Sequence, residues 1–123
     1  MSITAKFGGT SLANSDCIRR VADIIRSNPE RRYIVPSAPG KRLESDKKIT
    51  DLLYAWHSLL IQGLDPAQPR TIIADRFREL AQDLKVRFDI DDHMERISAH
   101  AIEYANPDYM ASRGEYLNGL LIA

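Results

Sequence analysis

The stretch AKFGGTSLANSD, residues 5–16, decides how this chain is read: an apolar lead-in, the pair Gly8-Gly9, two hydroxyl residues and then Asn14-Ser15-Asp16. Residues Ile3 to Phe7 are partly apolar and end in glycines, which predicts a first strand. A helix is expected from about Ser15, a good N-cap, with Asp16 in the first turn, where the helix dipole favours an acid. Ile18, Val21, Ala22 and Ile25 then recur at helical spacing until Asn28-Pro29 stops the run. Tyr33-Ile34-Val35 is a short apolar β-prone run and predicts a second, buried strand. The opening thus reads β-α-β, the start of a parallel sheet.

A strand that ends in Gly8-Gly9 and leads into a helix offers backbone N–H groups to an anion, with no Cβ in the way. Lys6 adds a positive charge near the same point, and Thr10 and Ser11 add hydroxyl donors. The order is not that of a Walker A loop, whose lysine follows the glycines. Paired glycines are also common in plain turns, so the residues alone leave a phosphate cradle and an ordinary turn both open.

Three further stretches carry polar residues at places where ligands gather. SAPGKR, Ser37 to Arg42, follows the second strand and so shares the carboxyl edge of the sheet with Gly8-Gly9. Ser37 is its polar anchor, while Lys41 and Arg42 read as solvated loop charges that could assist an anion. In ITDLL, Thr50 lies at a helix start, as an N-cap or as a site residue. In SRGE, Glu115 is either an ordinary surface acid or a ligand group, and Gly114 within a helix needs a packing or ligand reason.

The remainder is helical. Ile49, Leu52, Leu53, Trp56, Leu59 and Leu60 form one stripe ending at Gly63, and Trp56 reads as core. A proline-marked loop from Asp65 to Pro69 precedes a helix over about Arg70 to Lys85, striped by Ile73, Phe77, Leu80 and Leu84. A fourth helix is expected from Asp91-Asp92 to Ala105-Asn106-Pro107, and a fifth from about Asp108 through Leu117, Leu120 and Leu121. Two strands leave open edges and too little area for that many amphipathic helices, and the last helix has no C-cap signal. The front part of a larger domain is therefore expected, against the alternative of a complete, mostly helical domain with a small β element.

With 17 basic and 17 acidic residues the 123-residue chain is formally neutral, which removes the global attraction of a general nucleic-acid binder. No apolar run approaches a membrane span, and glycines interrupt the N-terminal residues too early for a signal peptide. The single cysteine, Cys17, cannot form an internal disulfide and suits a reducing cytoplasm. His57, His93 and His100 share no metal-ligand spacing, and Asp91-Asp92-His93 fits a helix N-terminus better than a metal site.

Taken together, KFGGTSLA, VPSAPGKR, KITDLLY and SRGEYLNGLL resemble, in order, the motifs of the aspartate kinases, within the amino-acid kinase family. The resemblance spans nearly all of residues 1–123, although Gly63 to Ala105 carries no named motif. The charged stretch between Gly40 and Ile49 departs from the shorter loop of many members and looks like that of a subgroup of single-function bacterial enzymes. The resemblance implies an α/β fold, the N-terminal portion of a carbamate-kinase-like three-layer αβα sandwich, helix-rich in this portion and without ACT domains. It implies transfer of the γ-phosphoryl group from ATP, as its Mg2+ complex, to the side-chain carboxylate of L-aspartate, the entry to lysine, threonine, methionine and diaminopimelate. Lys6 then matches the lysine that stabilises the transferring phosphate, and Gly8, Gly9, Thr10 and Ser11 the phosphate-holding segment. Ser37 and Thr50 match substrate-side residues, and Glu115 the glutamate that pairs with the substrate α-amino group. The resemblance also implies a cytoplasmic enzyme, a homo-oligomer at full length, with no nucleic-acid or membrane partner, and an isolated chain without turnover. Two alternatives remain: another amino-acid kinase, acting on glutamate, acetylglutamate or uridylate, and a non-catalytic binding or dimerisation module keeping the front half of the fold.

Overall fold

The computed structural model describes residues 1–104 and 106–123. Its order among those residues is β1 (Ile3–Phe7), a 3-10 turn (Gly9–Leu12), α1 (Ser15–Arg26), β2 (Arg31–Pro36), α2 (Ile49–Ile61), α3 (Ala67–Leu84), α4 (Ile90–Tyr104) and α5 (Pro107–Ile122). β1 and β2 pair in parallel, with Thr4 opposite Tyr33, Ala5 opposite Ile34, Lys6 opposite Val35 and Phe7 opposite Pro36. The expected β-α-β opening is therefore present.

Local chemistry sets most boundaries. The N-cap of α1 is Asn14 rather than Ser15: its Oδ1 accepts from the Cys17 amide at 2.9 Å. Lys48, without a side-chain cap bond, occupies the N-cap of α2, so Thr50 lies inside the helix and is not its cap. α3 starts at Ala67, earlier than expected, with Pro69 in its first turn. A proline there forfeits only an N–H that would have no helical partner, so it does not delay the helix. Asn106 caps α5 by accepting from the amides of Asp108 and Tyr109. The end expected for α4 at Ala105-Asn106-Pro107 falls partly outside the described residues, at Ala105.

The helices build the core. Trp56, Leu53 and Ile49 of α2 are sealed together with Ile73 and Phe77 of α3, Met94 of α4, and Met110 and Leu117 of α5. α2 packs mainly on α5 and α3, with α4 bridging α3 and α5. Fully burying each such side chain contributes about 1.5–3 kcal/mol. The sheet is different. Ala5, Phe7, Ile34 and Pro36 are half-buried on the face toward the helices, whereas Thr4, Lys6, Tyr33 and Val35 are exposed. The second strand is thus not buried as expected: Tyr33 is 62% and Val35 47% exposed. Its apolar run is two-sided, as in a strand covered on both faces, but here helices cover only one.

Candidate functional site

The segments after the two strands meet at the carboxyl edge of the sheet. Ser37 donates its amide to the Phe7 carbonyl at 3.0 Å, continuing the ladder, and Gly40 donates its amide to the Gly9 carbonyl at 2.9 Å. This contact is close enough to require glycine: a Cβ on Gly40 would stand 2.5 Å from the Gly9 oxygen. Gly114 of α5 is likewise a packing glycine, since its Cβ would fall 2.9 Å from the Ala38 Cβ and 3.1 Å from Ile49 Cγ2. Replacing either glycine by a larger residue would push apart the segments that define the edge.

Gly8 is the exception. Its backbone is extended, with φ −77° and ψ 168°, which any residue adopts. A Cβ there would meet nothing within 4 Å. Neither strain nor internal packing demands glycine at this position.

Between these segments lies a cleft of about 420 Å³. Gly9, Thr10, Ser37, Thr50 and Glu115, all singled out in the sequence, line it together with Ala38, Pro39, Gly40, Lys41, Lys48 and Ile49. Glu115 is exposed one residue after the packing glycine of α5, so the Gly114 contact fixes where the acid begins. Thr50 enters the cleft from the first turn of α2. Lys41 and Lys48 add positive charge opposite the single carboxylate of the lining. Such a pairing of cations, hydroxyls, one acid and close backbone suits a zwitterionic or phosphorylated small molecule.

Lys6, Gly8 and Ser11 do not line that cleft. Lys6 is exposed beside Val35 on the uncovered face of the sheet, and Gly8 is exposed at the strand end. Ser11 instead borders a hollow with Thr10, Phe7, Cys17 and Arg20. The glycine segment therefore forms a rim shared by two concavities, with Thr10 in both.

Sequence reasoning missed three contributors. Lys48 was not distinguishable from any other lysine of a charged loop. Asn118, fully buried on α5, donates its side-chain amide to the Ser37 carbonyl at 2.8 Å and so anchors the end of β2. Its position one turn beyond Glu115 on α5 was the available signal. The third is the charge network behind the cleft. Arg42 is no free loop charge: its Nε and Nη2 donate to Asp46 at 2.9 and 3.1 Å and its Nη1 to Glu79 of α3 at 2.7 Å. Hydrogen bonds from the Arg42 side chain hold the Asp46 carboxyl well below the usual carboxylate range. Arg76 of α3 is buried, and that burial lowers its guanidinium pKa.

No family model matches the chain. It is 34% identical to aspartokinase 3 of Bacillus subtilis, across 96% of this chain and 27% of that protein. It is 32% identical to the lysine-sensitive aspartokinase 3 of Escherichia coli, across 97% of this chain and again 27% of that protein. Among solved structures, Clostridium acetobutylicum aspartate kinase superposes with a TM-score of 0.90 at 43% identity, covering 96% of this chain and 27% of that one. Over nearly its whole length, this chain is similar to one part of the aspartate kinases. Escherichia coli aspartokinase III in complex with aspartate and ADP superposes with a TM-score of 0.71 at 27% identity, covering 99% of this chain and 28% of that one. The chain thus spans about a quarter of the length of the aspartate kinases it matches. Among the described residues no helix is long and apolar enough to cross a membrane.

Proposed function

We propose that the cleft at the sheet edge is one wall of an aspartate kinase active site, in which the γ-phosphoryl group of ATP passes to the side-chain carboxylate of L-aspartate. The observation that carries this reading is convergence: Gly9, Thr10, Ser37, Thr50 and Glu115 come from four separated stretches and line one cavity. Likeness to a solved aspartokinase III holding aspartate and ADP supports the substrate pair. Gly8 fits as well, because a glycine with empty space at its Cβ position leaves room for a phosphate to approach the backbone.

Phosphoryl transfer needs alignment and charge neutralisation more than covalent help. Glu115 would accept hydrogen bonds from the α-ammonium of aspartate, discriminating the amino acid from a plain dicarboxylate. Ser37 and Thr50 would orient the substrate. Lys6, at the end of β1, would neutralise the transferring phosphate from the rim, with the amides and hydroxyls of Gly8 to Ser11 holding its oxygens. Magnesium would arrive with ATP as part of the substrate complex.

In this reading the chemistry is the entry step toward lysine, threonine, methionine and diaminopimelate, in the cytoplasm, by an enzyme that is a homo-oligomer at full length. The 123 residues alone bind ligand weakly and do not turn over. The test is a hydroxamate assay on the chain alone and on Bacillus subtilis aspartokinase 3 with its matching segment replaced by this one. The chimera should form aspartyl hydroxamate and the chain alone should not. In the chimera, Glu115→Gln should raise KM for aspartate more than it lowers kcat, and Lys6→Ala should mainly lower kcat. A folded, active chimera whose KM ignores Glu115→Gln would refute the substrate assignment.

A further inference from the structure

The loop from Gly40 to Lys48 carries both lysines of the cleft, yet it has no regular secondary structure to hold them. What holds it is a pair of side chains away from the cleft. Arg76 is 5% exposed, and its Nη2 donates to the Gly40 carbonyl at 2.9 Å. Its Nη1 lies 3.9 Å from Asp46 Oδ2. The same Asp46 oxygen accepts from the Arg42 backbone amide at 2.8 Å, closing residues 42–46 into a ring. Gly40 is therefore gripped twice, by Gly9 on its amide side and by Arg76 on its carbonyl side.

We propose that Arg76 is a positioning residue for the candidate site: together with Asp46 it staples the Gly40–Lys48 loop to α3, and so sets where Lys41 and Lys48 face an anionic ligand in the cleft. A buried guanidinium is costly to desolvate, and an apolar residue of similar volume would pack there at lower cost. Its forked geometry supplies what an apolar residue lacks, two donors aimed at two points of one loop. Lysine, a single point charge, cannot span both. Arg76 touches no residue by hydrogen bond that itself lines the cleft except Gly40, and Gly40 cannot move without breaking its contact with Gly9. Displacing Arg76 would thus release the lysines and the Gly9 carbonyl together.

This inference rests on the proposed anion site, and the two can fail separately. The test uses the whole 123-residue chain, isotope-labelled, with Arg76→Met and Arg76→Lys. Amide exchange at Gly40 reports the staple without any ligand, and Leu53 and Ile97 in the helical core serve as controls. Pyrophosphate titration, followed by the shifts of Gly9, Gly40 and Lys41, reports the site. In Arg76→Met, Gly40 exchange should rise about tenfold relative to the controls and pyrophosphate affinity should fall about fivefold. Arg76→Lys should recover part of both, and it also serves if the methionine variant does not fold. A folded variant with unchanged Gly40 exchange, or with faster exchange but full pyrophosphate affinity, overturns the positioning role. A wild-type chain with a protected Gly40 that ignores pyrophosphate would instead count against the anion site, and the exchange comparison would still decide the staple.

Discussion

The helical layer and the sheet of this chain were built to different standards of closure. In the helices, Trp56, Phe77, Leu53 and Met110 have no exposed surface and four helices share one core. In the sheet, two strands pair correctly yet leave Tyr33, Val35, Thr4 and Lys6 open on one face. The difference separates the layer that stabilises the chain from the edge that carries the candidate site. Stability comes from α2 to α5, and the candidate cleft lies on the seam where those helices meet loops leaving a half-covered sheet. A site on such a seam inherits rigid walls from Gly114, Asn118 and Ile49 on one side and depends on loop-to-loop contacts on the other.

The comparison breaks most visibly in the helical core. Phe77→Ala should cost about 3–5 kcal/mol by emptying a fully buried position, measured by urea unfolding. A loss below about 1 kcal/mol would mean that the helical layer is not the source of stability. The seam is sharpened by two glycines with opposite expectations. Gly40→Ala should destabilise by about 1–3 kcal/mol, because its Cβ would collide with backbone rather than with a movable side chain. Gly8→Ala should leave the unfolding midpoint within about 0.5 kcal/mol while weakening pyrophosphate binding. If both substitutions behave alike, the distinction between packing glycine and ligand glycine is wrong.

The charge network gives a smaller, pH-dependent effect. Because Asp46 has a depressed pKa in the folded chain, its contribution is complete above about pH 4 and is lost progressively as pH falls toward the folded value. Asp46→Asn should therefore be less stable than wild type by about 1–2 kcal/mol near pH 7, with the gap narrowing in strong acid. Urea midpoints across that range check the sign, and a gap that widens in acid would contradict the pairing. The smallest effect belongs to the open face: Val35→Thr should change stability by about 0.5 kcal/mol or less. A loss comparable to Phe77→Ala would show that this face is packed after all.

Much of this was legible in the sequence because the signals are local. Helical stripes such as Ile73, Phe77 and Leu80, and the stop at Asn28-Pro29, need no knowledge of distant residues. Ser37, Thr50 and Glu115 were singled out through their motifs, and the fold brings them to one candidate cleft. The burial of Tyr33-Ile34-Val35 was not legible, since apolarity reports what a strand would tolerate and not what covers it. The start of α3 was hidden by Pro69, a residue that marks loops and first turns equally. Arg76 and Asp46 were invisible for another reason: in sequence a charged residue on a helix or in a loop reads as solvated, and only the tertiary path of the Gly40–Lys48 loop brings Asp46 to Arg76 and gives Arg76 a partner 36 residues away at Gly40.

The central claim, that one cleft gathers Gly9 and Thr10 of the phosphate segment with Ser37, Thr50 and Glu115, is tested most directly by mapping amide shifts of the labelled chain during titration with pyrophosphate and with L-aspartate. The account predicts changes confined to Gly8 through Ser11, Gly40, Lys41 and Lys48 for pyrophosphate, and to Ser37, Thr50 and Glu115 for aspartate. Changes centred instead on the neighbouring hollow lined by Leu59, Gln68 and Ile72, with the cleft residues silent, would contradict it.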